Sequence, residues 1–254
     1  MKAVILAAGK GMRLRPLTDA VPKVMIPANG KPILEYHLEN LARAGIKDVF
    51  INLHFLPEAI TKHFGDGAQW GVRIRYSYEP EILGTAGAVG KLGSLLQDGP
   101  FLVVYGDNYL EMDLSGFIEA SEARGGIGTI AVFEKADVAG GGILELGKDD
   151  EVVRFKEKPA LSEVFSHWVN AGLLFLRPDI FDHIPAGFSD FGLDVIPSLL
   201  RKRGRLYAYR LFGGVWAIDD LDLLNALNAH LTHPSGTGVG KPLYRRELVL
   251  RETK

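Results

Sequence analysis

A three-layer α/β/α fold on a mixed, mostly parallel sheet is predicted by three observations. Short apolar runs alternate with helix-like stretches from Ala3 to Phe133, the rhythm of a parallel-rich sheet covered on both faces. Glycine-bearing turns follow the first, third and fourth runs, and ligands in such sheets bind outside the carboxyl ends of the strands. A chain of 254 residues with 47% hydrophobic content can form one large α/β domain or two small ones.

The elements follow in order. Ala3–Leu6 reads as a buried strand. Pro32–Ala44 reads as a helix, with proline in its first turn and Gly45 just past its end. Asp48–Asn52 is a strand, Pro57–Phe64 a helix and Val72–Tyr78 an alternating strand. Thr85–Leu96 reads as one helix despite its glycines, and Phe101–Tyr105 as a short buried strand ending in Gly106-Asp107-Asn108. Leu114–Ala123 is helical and Gly128–Phe133 a strand. Beyond Lys135 the rhythm changes. Ile143–Leu146, the turn Gly147–Asp150 and Val152–Lys156 form a hairpin pattern, and Trp168–Arg177 is a strand with Asn170-Ala171-Gly172 inside it. Phe191–Lys202 is a helix, Leu206–Tyr209 a strand and Leu221–Leu231 a helix. Residues 1–231 are expected to form one domain, with residues to about 134 on one side of the site and 135–231 on the other. Residues 232–254 read as a linker (His233 to Gly238) and a tail. The tail, from Lys241, suits an edge strand, a homo-oligomer contact or a frayed end.

Bulk properties narrow the function. A net charge of −2 gives no global attraction to nucleic acid or membrane, so any anion site must be local. The absence of cysteine excludes disulfides, thiolate metal sites and thiol catalysis. No window approaches a membrane span, and the apolar start is too short for a signal peptide, so a soluble cytoplasmic protein is expected. Seven histidines show no metal-ligand spacing, and His54, His63 and His183 read as surface or core residues. Trp70 and Trp168 read as core, and no aromatic-interleaved basic patch suggests nucleic acid.

The local anion site is the loop after the first strand. Leu6 to Thr18 reads L-A-A-G-K-G-M-R-L-R-P-L-T, with two glycines and no acidic residue before Asp19. Glycines let backbone N–H groups approach a ligand, and the lack of carboxylates leaves the field positive. The dinucleotide fingerprint fits at Gly9 and Gly11 but fails at Leu14, and no P-loop run exists. The basic residues continue through Pro22-Lys23, where V-M-I-P supplies an apolar setting for Lys23.

L-A-A-G-x-G-x-R-L-x-P-L-T followed by P-K resembles the signature of the sugar-1-phosphate nucleotidyltransferases, from Met1 to about His230. The resemblance implies a Rossmann-like fold of the nucleotide-diphospho-sugar transferase type. It also implies transfer of a nucleoside monophosphate to a sugar 1-phosphate with release of pyrophosphate. Arg13 and Lys23 would be catalytic cations, and Leu6, Ala8, Gly9, Gly11 and Met12 would face the nucleotide with Gly84, Thr85 and Ala86. Leu83-Gly-Thr-Ala-Gly-Ala88 resembles the run in mannose- and heptose-1-phosphate guanylyltransferases, which favours GTP.

Asp107, one glycine past an apolar run, belongs at a strand tip. It suits a turn, a helix cap or Mg²⁺, which takes one or two carboxylates plus phosphate oxygens. The resemblance makes it a catalytic residue and the first metal ligand, with Asn108 beside it on the substrate. The second metal carboxylate falls in Trp216-Ala-Ile-Asp219-Asp220, which lacks the Gly-Thr-Pro of many members. The register points to Asp219, while Asp219 or Asp220 also suits the cap of the next helix. Glu157-Lys158-Pro159 and Asn170-Ala171-Gly172 match family runs that contact the acceptor. Gly172 inside a strand fits close approach of a ligand or a bulge. The missing Gly-Thr-Pro keeps open a cytidylyltransferase acting on phosphocholine or a phosphonate. Uridylyl or thymidylyl transfer stays open too, as does a non-catalytic regulatory subunit that binds nucleotide-sugars.

Overall fold

Apolar residues alternate along the central strands, and each set faces a different helical layer. The computed structural model describes residues 1–138 and 140–233. The elements are β1 (Lys2–Leu6), β2 (Pro27–Ala28), β3 (Lys31–Pro32), α1 (Ile33–Arg43), β4 (Asp48–Leu53), α2 (Pro57–Phe64) and β5 (Arg73–Tyr78). Then come α3 (Gly84–Lys91), α4 (Gly93–Leu96), β6 (Phe101–Tyr105), β7 (Asn108–Leu110), α5 (Leu114–Ala123) and β8 (Gly128–Glu134). The remainder is β9 (Gly142–Leu146), β10 (Val152–Glu157), β11 (Trp168–Leu176), α6 (Ile196–Arg201), β12 (Leu206–Arg210), β13 (Val215–Ala217) and α7 (Leu221–Thr232).

The main sheet runs β5-β4-β1-β6-β11-β8-β12, and only β11 is antiparallel to its neighbours on that path. The β9–β10 hairpin joins through Trp168 and Val169 of β11. The sheet is therefore mixed and mostly parallel, as the sequence predicts. On one face Ala3, Ile5, Val49 and Ile51 pack with Leu34, Leu38 and Leu41 of α1, Ile60 of α2 and Phe117 of α5. On the other face Val4, Phe50 and Val103 pack with Ala86 and Val89 of α3 and Leu199 of α6. Period-2 strands between period-3.6 helices produce both cores.

Four local expectations change. Pro32 lies in the two-residue strand β3 and precedes α1 instead of sitting in its first turn. The single helix expected over Thr85–Leu96 is two, interrupted at Leu92. The helix expected from Phe191 opens with a π-helical turn over Phe191–Val195 before α6. Helix α7 runs through Thr232, one residue past its expected end. The rest of the expected linker and tail, 234–254, lies outside the described residues. Among the described residues, no helix is long and apolar enough to cross a membrane.

A third cluster ties the opening loop to the end of the domain. Leu14, Ile26, Ala28 and Ile33 pack against Ile218 of the segment before α7 and against Leu224 and Leu227 of α7. Leu14 is fully buried there, which accounts for a leucine at the third-glycine position of the dinucleotide pattern.

Candidate active site

A small antiparallel sheet sets the geometry. Asp107 lies in the turn between β6 and β7, and β7 pairs with β13 so that Asn108 opposes Ala217. The Ile218 amide then donates to the Asp107 carbonyl at 3.0 Å. Two aspartates more than a hundred residues apart are thereby brought to one place. Lys23 Nζ donates to Asp107 Oδ2 at 2.6 Å and to Asp219 Oδ1 at 2.8 Å. Arg13 Nη2 reaches the same Asp219 oxygen at 2.8 Å. Burial alone would lower the Lys23 ammonium, but Asp107 and Asp219 carry it above its ordinary value. Burial alone would raise Asp219, and Lys23 and Arg13 together hold it below the usual carboxylate range. The opening loop has no carboxylate of its own before Asp19, yet Arg13 and, just beyond it, Lys23 are paired with carboxylates delivered by distant elements.

Asp219 and Asp220 have different tasks. Asp220 Oδ1 accepts from the Leu223 amide at 2.9 Å and caps α7. Of the two, Asp219 is the one that turns toward Lys23.

These groups line one side of a cavity of about 500 Å³. Glu157, Lys158 and Asn170 line the other. Glu157 ends β10. Burial raises its carboxyl, Asp190 raises it further, and Lys158 partly offsets both. Lys158 has φ +44, and its amide donates to the Gly141 carbonyl at 3.1 Å, which turns the chain at the cavity wall. Asn170 Oδ1 accepts from the Gly172 amide at 2.8 Å, and Asn108 Nδ2 donates to the Ala171 carbonyl at 3.0 Å. The β11–β8 register shifts between Asn170 and Leu174. Gly172 has φ +77, and a Cβ there would stand 2.5 Å from Asn108 Nδ2. Its freedom serves the bulge and the approach of Asn108, since Gly172 does not line the cavity.

A model of the nucleotidyl transferase family matches residues 2–221. The chain belongs to the nucleotidyl transferase family. It is 35% identical over 225 residues to the UTP–glucose-1-phosphate uridylyltransferase of Synechocystis sp., covering 83% of this chain and 58% of that protein. It is 32% identical over 209 residues to the mannose-1-phosphate guanylyltransferase of Mycobacterium tuberculosis, covering 82% of this chain and 58% of the relative. The chain thus spans under two thirds of the length of these relatives. Among solved structures, HddC from Yersinia pseudotuberculosis complexed with GMP-PN superposes with a TM-score of 0.76 at 26% identity, covering 91% of this chain and 99% of that one. A Bacillus anthracis structure in complex with sucrose superposes with a TM-score of 0.82 at 23% identity, over 90% of this chain and 94% of that one. These likenesses agree with the expected fold.

Within this member of the nucleotidyl transferase family, most expected positions meet at the cavity. Leu6, Ala8, Gly9, Arg13, Lys23, Gly84, Thr85, Asp107, Asn108 and Asp219 line it with Glu157, Lys158 and Asn170. Four do not. Met12 is exposed, Ala86 is fully buried, and Gly11 and Gly172 are not among the lining residues. The amides of Ala86 and Gly87 both donate to the Ser189 carbonyl at 3.0 Å, so the start of α3 is closed by the 187–191 segment. Arg15, in the same loop as Arg13, pairs with Asp19 at 3.1 Å.

Sequence reasoning missed Asn52, Tyr105, Phe188 and Asp190, all on the wall. Thr85 Oγ1 donates to Asp190 Oδ2 at 2.7 Å, and Asp190 Oδ1 accepts from the Gly192 and Leu193 amides. A Ser-Asp pair ahead of an expected helix was the available signal for Asp190. For Asn52 it was one amide inside the apolar run V-F-I-N-L.

Proposed function

We propose that the chain transfers a nucleoside monophosphate from a nucleoside triphosphate to a sugar 1-phosphate and releases pyrophosphate. The observation that supports this reading most is Lys23 held between Asp107 and Asp219, with Arg13 beside it and the Glu157–Lys158 turn across the cavity. A phosphate oxygen of the sugar 1-phosphate attacks the α-phosphorus, and the bond to the β-phosphate oxygen breaks with its electrons leaving on pyrophosphate. The nucleophile is already an anion, so no general base is required. The barrier is electrostatic and entropic. Arg13 and the loop amides around Gly9 would hold the β and γ phosphates, Lys23 would meet the α-phosphate, and Lys158 would orient the acceptor.

The donor set suits Mg²⁺. Asp107 and Asp219 present oxygens to one ammonium, while no group of three or more acidic or imidazole ligands exists among the described residues. That pattern matches an ion held by one or two carboxylates plus substrate phosphates. When bound, Mg²⁺ would neutralise phosphate charge. Apart from that ion, the chain's work is to hold the two carboxylates together and keep Lys23 protonated.

The test is pyrophosphate release with the four nucleoside triphosphates against a panel of phosphate acceptors, with and without Mg²⁺. GTP with mannose 1-phosphate follows from the Leu83–Ala88 run, and UTP with glucose 1-phosphate from the Synechocystis relative. Release that depends on a sugar 1-phosphate supports the reading. Release only with phosphocholine or a phosphonate replaces the acceptor class, and tight nucleotide-sugar binding with no release converts the protein to a binding subunit.

A further inference from the structure

From Asn52 on the cavity wall a buried polar relay, which the proposed reaction does not use, runs back to Glu79. Asn52 near the tip of β4 accepts at Oδ1 from the Ala7 amide at 2.6 Å. Its Nδ2 donates to Glu79 Oε1 at 2.9 Å. Glu79 Oε2 in turn accepts from the Leu83 amide at 3.0 Å. Glu79 is fully buried, follows β5 directly, and has no ion-pair partner among the described residues. Its own amide donates to the Leu53 carbonyl at 2.7 Å, and His54 Nδ1 lies 2.9 Å from its carbonyl.

A buried carboxylate without a cation is costly, and hydrogen bonds to it offset only part of that cost. An apolar pair would fill the space more cheaply. What the polar pair supplies is direction. Ala7 precedes Ala8 and Gly9 on the cavity wall, and Leu83 precedes Gly84 and Thr85 on the same wall. The relay therefore joins the two glycine loops across the ends of β1, β4 and β5, three adjacent parallel strands. Asn52 can accept from Ala7 only while its amide group faces Glu79, so the carboxylate sets which way the asparagine turns. Glu79 itself does not line the cavity.

We propose that Glu79 and Asn52 are positioning residues, holding the opening loop and the Gly84–Thr85 loop at the spacing that binds the triphosphate. This inference rests on the nucleotidyl-transfer reading. Its sharpest test is an exchange of the pair. In E79Q two amide groups face each other as donors, and in N52D two carboxylates face each other as acceptors. In N52D/E79Q every bond is restored, and only the one between positions 52 and 79 is reversed in polarity. The carboxylate now at position 52 would accept from the Ala7 amide and from the side-chain amide at position 79, whose oxygen would accept from the Leu83 amide.

Either single exchange should raise the KM for the triphosphate about tenfold, the range expected for one buried unsatisfied group, and the double exchange should bring it back to within about twofold. The acceptor KM should stay within about twofold throughout. Amide hydrogen exchange at Ala7 and Leu83 in the ligand-free protein should quicken in the singles and slow again in the double. E79D, one methylene shorter, should behave like E79Q if E79Q does not fold. Singles with a lowered Tm but wild-type triphosphate KM overturn the positioning role, as does a double exchange that fails to recover. A wild type that binds GTP or UTP in calorimetry without turnover defeats the transfer reading instead, and the relay is then read from those binding constants. Binding of neither defeats both.

Discussion

The two walls of the cavity treat charge in opposite ways. On the wall proposed for the nucleotide Asp219 is shifted down, because Lys23 and Arg13 overcome its burial. On the wall proposed for the acceptor Glu157 is shifted up, because burial and Asp190 outweigh Lys158. The first wall is electrostatically closed: Asp107 and Asp219 each already touch a cation. The second carries a carboxylate that no hydrogen-bond donor reaches among the described residues. The contrast teaches where a ligand adds the missing partner. On the proposed reading a triphosphate would enter an arrangement of satisfied charges, whereas an acceptor with hydroxyls would supply donors that Glu157 lacks.

The largest expected effect comes from breaking the satisfied wall. Asp219→Asn and Asp107→Asn should each lower turnover by about 10²–10³-fold, the range for removing one preorganised electrostatic group. Steady-state pyrophosphate release at saturating substrates checks this, and near-wild-type turnover in either variant would sink the assignment of that wall. Asp219 should also follow its linkage. Its folded value is depressed, so the stability it confers is present above its unfolded value near 3.8 and disappears as pH falls through the folded one. The thermal deficit of Asp219→Asn should therefore narrow below that pH.

On the acceptor wall the next effect is steric. Gly172→Ala places a Cβ at φ +77 against Asn108, and should cost about 1–3 kcal/mol in chemical denaturation. Because Asn108 bonds Ala171, the acceptor KM should rise while the triphosphate KM does not. A silent Gly172→Ala would show that the bulge does not position Asn108.

Glu157→Gln separates the walls by sign. The raised folded value means the carboxylate destabilises the fold at neutral pH. Its stabilising protonated form is complete below the unfolded value near 4.5 and is lost as pH rises through the folded one. Glu157→Gln should therefore raise Tm at pH 7, and the gain should vanish below about pH 4.5, where wild type carries the proton. The acceptor KM should rise about tenfold, the scale of one lost charge-assisted hydrogen bond. A lowered Tm at pH 7 would show that Glu157 is satisfied after all.

The nucleotide wall was the more legible of the two in the sequence, for a physical reason. Ala8, Gly9, Arg13 and Lys23 lie within one contiguous run, and Asp107 sits one glycine beyond a buried strand, so local pattern places them. The small β7–β13 sheet was not legible, since three-residue strands about a hundred residues apart leave no periodic trace. The same holds for the 187–191 segment. Its carbonyl at Ser189 takes the first amides of α3, and a Cβ at Gly84 would stand 2.3 Å from that oxygen. The glycines of that run looked like a ligand loop in sequence, and at least one of them also serves chain packing.

The choice between Asp219 and Asp220 stayed open in sequence because both suited a cap, and it yields the smallest and cleanest comparison. Asp220 holds the Leu223 amide and, among the described residues, makes no ion pair with Lys23 or Arg13. Asp220→Ala should cost about 1 kcal/mol of stability, the usual worth of an N-cap, and leave turnover nearly intact. Asp220→Ser should recover most of that stability, since a hydroxyl also caps a helix. Helix α7 packs through Leu224 and Leu227 on Leu14, so its own contacts with the opening loop there are apolar. If Asp220→Ala instead lowered turnover as far as Asp219→Asn does, the cap would be holding Asp219 in place. The two aspartates would then have to be treated as one unit.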